Sequence, residues 1–344
     1  MAEIFKLSMR RTTSLVATMV FTLLVVASAA DARSKERYCN WKDGITEARL
    51  GLSETRLYRE GDPRVAAAVA EHLPLGLPGG AAPAQHGEHL LAQPQFVIWY
   101  DDDLRATLWT AHHLSKEAAS VTGKNGGEKR ADSFRSDPRL PAVAASQCAD
   151  YKEPIFDQGH MVPNADLDFI LPGMKWSLGM DHSFLMSNMT PQHCATNRGP
   201  WQVLEGLVRD WAGQAQDTWI ITAAAYDRDG TPGRDPDDAA WRMDGKDGRR
   251  VAIPSHLIKI VGQWSEAGWR TLTVIVPNVD TLVSKAQMQA YLANDVATLQ
   301  QAAMLTGFRF FDTAQIDEAN SLWPVAGTWP GPLTSGCKAA YPDR

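Results

Sequence analysis

Residues 153–211 carry side chains whose types and spacing can perform hydrolytic chemistry. His160 lies in a short polar segment, and a neutral imidazole can take a proton from water near pH 7. Asn197 follows 37 positions later, at the start of a predicted helix that also carries Glu205 and Arg209. Amide and carboxylate oxygens bind hard cations such as Mg²⁺, and arginine can hold a phosphate through two parallel hydrogen bonds. Together these residues indicate metal-assisted attack of water on a phosphodiester.

The predicted helix must place Asn197 and Glu205 on a fixed support. Its apolar residues recur at helical spacing and predict a buried stripe, formed by Trp201, Leu204, Leu207, Val208 and Trp211. Pro200 is tolerated because the first turn lacks partners for its backbone donors. Glu205 and Arg209 lie four residues apart, and such a pair alone is typical of a helix-surface ion pair. Their combination with His160 and Asn197 is more specific and favours a catalytic site.

These residues resemble the signature of the DNA/RNA non-specific endonucleases of the ββα-metal type, which include endonuclease G and secreted bacterial sugar-non-specific nucleases. That signature is Asp-Arg-Gly-His, then Ser-Asn-x-x-Pro-Gln, then Asn-x-x-x-Trp-x-x-Leu-Glu with arginine four residues on. The matching segments here are Asp157-Gln158-Gly159-His160, Ser187-Asn188-Met189-Thr190-Pro191-Gln192, Asn197 to Glu205 with Trp201 and Leu204, and Arg209. Upstream, Arg130 with Phe134 and Asp137-Pro138 is similar to the family segment that carries a further phosphate-contacting arginine.

The resemblance covers about residues 96–311 and implies both a fold and an activity. The implied fold is α+β, the ββα-metal (His-Me finger) nuclease fold, with a central, mainly antiparallel sheet and flanking helices. The implied activity is Mg²⁺-dependent endonuclease cleavage of DNA, RNA or both, with Mn²⁺ or another divalent cation as the alternative cofactor. A site that contacts the nucleic acid backbone and not the base edges predicts low sequence specificity.

The resemblance also implies roles for individual residues. His160 is the general base, and Asn197 holds the metal ion. Glu205 orients water at the metal. Arg209 and Arg130 are assigned to catalysis and substrate binding, because both would steady the phosphate.

Three further residues complete the predicted site. Asp157 and Asn188 are assigned a supporting role, with Asn188 helping to place the helix or the general base. Gln158 is assigned to substrate binding, and it stands at a position where the family usually has arginine. This departure removes one cation beside the site, and it bears on substrate affinity more than on the chemistry.

Two other functions are compatible with the same residues. One is a non-catalytic nucleic-acid-binding protein that retains the fold, which Gln158 and the acidic charge of the chain favour. The other is a phosphodiesterase for small substrates that uses the same chemistry. His160 and Asn197 are both present, and their presence argues against the non-catalytic protein.

The formal net charge of the 344 residues is −6. That balance argues against a uniformly basic protein that coats DNA. It does not exclude a nuclease, because the local charge of the cleft matters more than the total. The predicted partner is therefore a nucleic acid substrate, and the sequence does not indicate an oligomeric state.

The N-terminus predicts a secretory signal peptide over residues 1–32. Lys6, Arg10 and Arg11 precede an apolar run from Leu15 to Ala27, which is short for a membrane span. Small residues at 27–29 and 30–32 provide two acceptable cleavage sites. The predicted location is periplasmic or secreted, without stable membrane association after cleavage. An uncleaved membrane anchor is the alternative.

Four cysteines, Cys39, Cys148, Cys194 and Cys337, predict two disulfides in an oxidising compartment. Three pairings are possible. We favour Cys39–Cys337, which would join the termini, with Cys148–Cys194 beside the motif. No pair has the spacing of a zinc site.

The remaining sequence predicts an N-terminal segment over 33–95, the nuclease domain over 96–311 and a C-terminal tail over 312–344. Expected elements are a helix over 62–72, a hairpin over 96–114, and strands at 219–222, 257–261 and 272–276. A further helix is expected from an N-cap at Asn294 to about 305, ended by Gly307. His112 and His113 alternate across the second strand of the hairpin, so at most one faces the core, and both are interpreted as structural.

Overall fold

The computed structural model describes residues 46–80, 87–121, 130, 132–170, 173–215, 217–227, 241–245, 248–281, 283–311, 316–325 and 337. The predicted signal peptide lies outside these residues. Within them, no helix is both long enough and apolar enough to cross a membrane.

Helices and strands follow one another in a mixed order. The helices are α1 (Glu47–Glu54), α2 (Arg64–His72), α3 (Lys116–Val121), α4 (Leu178–Ser183), α5 (Gln202–Gln214), α6 (Met288–Asn294) and α7 (Leu299–Thr306). The strands are β1 (Gly79–Gly80), β2 (Glu88–Gln93), β3 (Phe96–Asp101), β4 (Ala106–Ser115), β5 (Phe156–His160), β6 (Met189–His193), β7 (Asp217–Ala225), β8 (Arg242–Asp244), β9 (Arg250–Ala252), β10 (His256–Ser265), β11 (Gly268–Pro277), β12 (Val296–Ala297), β13 (Phe308–Arg309) and β14 (Ile316–Glu318).

A large sheet forms the centre of the protein, in the order β12-β11-β10-β7-β4-β3-β2. All these neighbours are antiparallel, and β14 adds to β11 in parallel. The sheet therefore begins at β2, upstream of residue 96 and inside the segment predicted to precede the domain. The α+β class and the mainly antiparallel central sheet are confirmed.

The two faces of the sheet bury different helices. On one face, α2 and α7 pack against a core that includes Val97, Ala111 and Ile221. On the other face, α5 lays its predicted apolar stripe against Ile220, Val261 and Leu272. Each of the five stripe residues is at most 3% exposed. Burial of this stripe fixes α5, and with it the residues at its start, against the sheet.

A separate two-stranded hairpin carries the predicted general base. β5 pairs antiparallel with β6, and a short helical turn (Cys194–Thr196) and a π-helical turn (Asn197–Trp201) lead from β6 into α5. Gly199 takes non-helical backbone angles inside this turn, and Pro200 follows it. Two strands and a helix thus meet at Asn197, which matches the ββα arrangement implied by the resemblance.

One predicted helix boundary is wrong. Asn294 is the last residue of α6 and not an N-cap, and the short strand β12 separates it from α7. Thr298 caps α7 instead, because its side chain accepts from the Gln301 backbone while the Gln301 side chain accepts from the backbone of Thr298. The predicted stop at Gly307 is confirmed, since this glycine adopts the left-handed conformation at φ 74°.

The favoured cysteine pairing is also wrong. Cys194 is bonded to Cys337, with their Cα atoms 5.5 Å apart, and Cys148 is disulfide-bonded as well. Cys148 therefore does not pair with Cys194, although both lie near the motif in sequence. No cysteine in the described part of the chain has a free thiol.

Replacing Cys337 by serine is expected to lower the free energy of unfolding by about 2–4 kcal/mol. The bond closes a loop across a separation of 143 residues, and cross-links over long loops remove much of the entropy of the unfolded chain. Urea unfolding of the variant and of the wild type measures the difference, and thiol titration of the unfolded variant should find one thiol per chain. Equal unfolding midpoints would contradict a stabilising role for the bond.

Candidate active site

Gly159 allows the hairpin to close around a glutamine. Gly159 lies opposite Thr190 in the β5–β6 pair, beside Gln192. A Cβ atom at Gly159 would lie only 2.0–2.3 Å from side-chain atoms of Gln192. Gln192 Nε2 donates to the backbone oxygen of His160 at 3.1 Å. The glycine of the motif is therefore required by close packing, and the packed glutamine holds the backbone at His160.

The imidazole of His160 is positioned by aromatic rings. Its centroid lies 5.8 Å from that of Phe134 and 5.2 Å from that of Phe184, both in edge-to-face geometry. Its Nε2 atom is buried and has no hydrogen-bond partner in the described part of the chain. The other seven described histidines each make at least one hydrogen bond through a ring nitrogen. A buried nitrogen without a hydrogen-bond partner costs folding free energy. Such unsatisfied buried groups are typical of functional sites.

The surroundings keep His160 neutral. Burial is the main cause that lowers the pKa of His160 to about 3, and the positive charge of Arg130 lowers it further. The carboxylate of Asp132 acts in the opposite direction on that pKa. The ring is therefore unprotonated at pH 7.

Asp157 fixes the orientation of the Asn197 side chain. Asn197 Nδ2 donates to Asp157 Oδ2 at 2.8 Å. A carboxylate only accepts, so the amide atom that faces Asp157 must be the nitrogen and Oδ1 must point away from it. Arg198 binds the same carboxylate through Nε (2.8 Å) and Nη2 (2.5 Å). One acidic residue on β5 therefore organises the turn that begins α5.

The Asn197 side chain fits a divalent cation. Its Oδ1 has no hydrogen bond in the described chain, and an amide oxygen is a suitable ligand for Mg²⁺, which usually keeps several waters. A different group, His193, Cys194 and Cys337, brings three possible ligand atoms within 4.8 Å of one another. Its two sulfurs are joined in the disulfide, so this group is not a metal site.

A buried polar strip lies between α5 and the sheet. Lys259 on β10 is 1% exposed. Its Nζ donates to Thr222 Oγ1 at 2.7 Å and lies 4.5 Å from the centre of the Trp201 ring. Burial raises the pKa of Glu205 above its usual range, and the charge of Lys259 is the largest opposing influence on that pKa. Burial lowers the pKa of Lys259, whereas the charge of Glu205 raises it. The two groups depend on each other for their ionisation.

Arg209 is held by a carboxylate on the segment after β5. Its Nη1 donates to Asp166 Oδ1 at 2.6 Å, and Asp166 Oδ2 lies 3.1 Å from His112 Nε2. Among the described residues, Glu205 makes no ion pair with Arg209, although the two are one helical turn apart. His112 is fully buried and His113 is partly exposed, which confirms their alternation across β4.

The other predicted site residues surround the hairpin. Arg130 pairs with Asp132 at 2.5 Å and lies over the Phe184 ring at 5.2 Å. Its charge lowers the pKa of both His160 and Glu205, so the imidazole and the α5 carboxylate both feel the charge of Arg130. Gln158 is half-buried on β5, two residues before His160.

Asn188 supports the residues that follow β5. It donates to the backbone oxygens of Val162 and Ser183 and accepts from the backbone N–H of Val162, each at 3.0 Å. The side chain is fully buried. This contact is consistent with the supporting role that the sequence indicates.

Sequence reasoning missed several charged residues at the site. Asp166, Lys259 and Arg198 were not among the predicted residues, and His112 was interpreted only as structural. Lys259 had a visible signal, since a lysine interrupts the apolar run Leu257–Val261. Arg198 stands next to Asn197, but nothing local indicates its contact with Asp157, 41 residues away.

Comparisons with known proteins identify a family. The sequence model of the family described as DNA/RNA non-specific endonuclease matches residues 80–316. Nuclease C1 of Cunninghamella echinulata var. echinulata is 28% identical over 246 residues, which are 67% of this chain and 86% of the relative. Human mitochondrial endonuclease G is 28% identical over 208 residues, or 59% of this chain and 62% of the relative.

The fold also resembles a solved structure. The match is to the crystal structure of the EndoG/EndoGI complex, with a TM-score of 0.53 and 21% sequence identity. It covers 71% of this chain and 91% of that chain. At this identity the likeness supports the fold.

Proposed function

Because the chain belongs to the DNA/RNA non-specific endonuclease family, we propose that it cleaves the phosphodiester backbone of DNA or RNA with the help of a divalent cation such as Mg²⁺. The observation that carries this proposal is the pairing of two prepared groups beside the hairpin. His160 is neutral, and its buried Nε2 has no hydrogen-bond partner among the described residues. The amide oxygen of Asn197 is turned away from Asp157. These are a proton acceptor and a cation ligand.

His160 takes the proton from the attacking water in this mechanism. Its low pKa keeps the imidazole unprotonated, and the rings of Phe134 and Phe184 hold it in one orientation. The hydrogen bond from Gln192 to the backbone of His160 fixes the position of the ring relative to the hairpin. These contacts limit the reorganisation that proton transfer requires.

Asn197 holds the cation through Oδ1. When bound, a divalent cation stabilises the negative charge that develops on the phosphate and on the leaving oxygen. Asp157 contributes by keeping the amide nitrogen away from that position.

Glu205 and the arginines complete the site. The Glu205 carboxylate orients water, and Lys259 beneath it favours the charged form. Arg209 is held in place by Asp166 and Arg130 by Asp132, so both guanidinium groups are oriented before a phosphate binds. Contacts of this kind address the backbone, and cleavage is therefore not sequence-specific.

Nicking of a supercoiled plasmid tests the proposal. The purified protein should convert the plasmid to open circles with Mg²⁺ or Mn²⁺, and a chelator should stop the reaction. A small phosphodiester tested in parallel should be hydrolysed much more slowly. Binding without cleavage at any divalent cation concentration would indicate a non-catalytic nucleic-acid-binding protein. Preference for the small diester would indicate a phosphodiesterase.

We expect kcat/KM to fall on acidification from neutral pH, because Glu205 becomes protonated at a higher pH than His160. Burial raises the pKa of Glu205, so the carboxylate that orients water becomes protonated as the pH falls through the neutral range. The pKa of His160 is about 3, so its imidazole stays unprotonated over that range. The kcat/KM of the wild type should fall by up to about tenfold per pH unit on the acid side. The kcat/KM of Glu205→Gln should be lower than that of the wild type but should not change with pH over this range. An acid limb with a midpoint near 6.5, the ordinary value for histidine, that persists in Glu205→Gln would assign the limb to His160.

We also propose that the protein is exported. The charged start and short apolar run of residues 1–32 support this, and so do the disulfides, which persist in oxidising compartments. Mass spectrometry of the protein from its own host is the test. An intact Met1 in the membrane fraction would contradict export with cleavage.

A further inference from the structure

Asp166 connects Arg209 on α5 to the central sheet. Its Oδ1 accepts from Arg209 Nη1 at 2.6 Å, and its Oδ2 lies 3.1 Å from His112 Nε2. A carboxylate only accepts, so the Nε2 atom of His112 must carry the proton between them. His112 lies on β4, an inner strand of the sheet. The three side chains thus form a continuous path from the sheet to the outer end of the arginine.

The inner two members of this path are enclosed, and the arginine is not. His112 is fully buried and Asp166 is 2% exposed, whereas the side chain of Arg209 is 19% exposed. A guanidinium has five N–H donors, and only the one on Nη1 that faces Asp166 has a partner in the described part of the chain. Asp166 therefore fixes the group and leaves it donors for the two parallel hydrogen bonds that a phosphate accepts.

The charge of Asp166 acts against the binding of a polyanion. Burial opposes ionisation of this carboxyl, but the charge of Arg209 and the hydrogen bond with His112 hold its pKa below the ordinary value. The carboxylate is therefore charged at pH 7, and a negative charge beside a cation weakens its attraction for phosphate. A benefit of Asp166 for substrate binding can come only from the geometry that it gives to Arg209.

We propose that Asp166 and His112 are positioning residues that hold the guanidinium of Arg209 ready for a substrate phosphate. The imidazole orients the carboxylate, and the carboxylate orients the arginine. A fixed arginine loses less conformational entropy when it binds the phosphate than a free one does. The inference rests on the proposed nuclease function, and it assigns a role to two residues that the family signature does not include.

Two other interpretations of these contacts make different predictions. In one, Asp166 only neutralises Arg209, so its removal strengthens the binding of DNA. In the other, Asp166 and His112 only stabilise the fold, so the effect of their removal does not depend on Arg209.

Two pairs of variants separate these interpretations. Asp166→Ala removes the contact with Arg209, and Asp166→Asn keeps an oxygen that can accept from it. His112→Phe removes the N–H that faces Asp166, and His112→Gln keeps an N–H donor at the end of a side chain of similar length. Asp166→Ala and His112→Phe are also made in an Arg209→Ala background.

The chain offers a matched control pair on the same strand. His113 follows His112 on β4 and points to the other face of the sheet, where its Nε2 lies 2.8 Å from Asp217 Oδ1. Asp217→Ala therefore also separates an aspartate from a histidine, but away from α5. This variant should bind and cleave DNA as the wild type does.

The measurements are Kd for a duplex DNA in chelator and KM for the same duplex with Mg²⁺. Asp166→Ala should raise both by about 2–10-fold, the scale of ordering one long side chain, although it removes a negative charge. His112→Phe should act in the same direction, and Asp166→Asn and His112→Gln should recover most of the loss. In the Arg209→Ala background, neither Asp166→Ala nor His112→Phe should weaken binding further. Thermal unfolding shows which variants fold.

Two results would overturn the inference. One is a Kd for Asp166→Ala that equals or lies below that of the wild type, which would leave Asp166 only the role of neutralising Arg209. The other is an equal loss of affinity with and without Arg209, which would assign both residues to the fold. If Asp166→Ala does not fold, His112→Phe decides, because it leaves the ion pair in place. If the wild type does not cleave DNA, the proposed function fails, and the binding measurements in chelator still decide whether Asp166 and His112 act through Arg209.

Discussion

Turnover should fall about 10²–10⁴-fold when His160 is replaced by alanine, while nucleic acid binding remains close to that of wild type. This is the usual loss when a positioned proton acceptor is removed. We expect binding to depend mainly on the arginines, and those groups stay in place. Single-turnover cleavage at saturating substrate measures the loss, and a binding series in chelator measures affinity.

Controls must separate chemistry from folding, because the imidazole packs against Phe134 and Phe184. Thermal unfolding should show that His160→Ala still folds, and His160→Asn gives a second, polar replacement. His89→Ala is the matched histidine control, since His89 lies on the edge strand β2 and pairs with Asp102. A Mg²⁺ series that restores near-native turnover to His160→Ala would show that His160 is not the base.

Removing the amide of Asn197 is expected to abolish most divalent-cation-dependent activity. The Asn197→Ala variant lacks the only oxygen ligand that we assign to the cation, so its half-maximal Mg²⁺ concentration should rise and its rate at low Mg²⁺ should fall by at least about 100-fold. The fold should survive, because the side chain lies at the beginning of α5 and not in the apolar stripe. Rates across a Mg²⁺ titration are the measurement.

Asp157→Ala is an informative companion to that variant. It leaves Asn197 in place but frees its amide to rotate, and losses of about 10–100-fold are usual for such supporting residues. Asn320→Ala, at an exposed position outside the site, is the matched control. Unchanged activity of Asn197→Ala at low Mg²⁺ would remove Asn197 from the cation site.

Local sequence patterns predicted much of the fold. The α5 stripe from Trp201 to Trp211, the hairpin of β3 and β4, and the stop at Gly307 each depend on neighbours within a few residues, and all three are found as predicted. The cap at Asn294 failed because an equally local signal, the Thr298–Gln301 capping box, lies four residues on. Competing local signals of similar strength cannot be ranked without the packing around them.

The site was less predictable because its contacts join distant parts of the chain. Asp166 binds His112 across 54 positions and Arg209 across 43 positions. Lys259 lies under α5 only because β10 neighbours β7 in the sheet. The register of those strands is a property of the assembled fold. The residues could be predicted as chemical types, but their partners could not.

The bond between Cys194 and Cys337 has a consequence for the order of events during synthesis. Cys194 leads directly into the turn that presents Asn197, and its partner is made 143 residues later. The rest of the central sheet, through β14, must therefore be translated before this disulfide can form. Until then, only noncovalent contacts hold this turn, among them the hydrogen bond from Asn197 to Asp157 and those from Thr196 to the backbone of Pro277 and Val279. If the protein is exported as proposed, the chain should acquire its fully tethered turn only after residue 337 has been made and has reached an oxidising compartment.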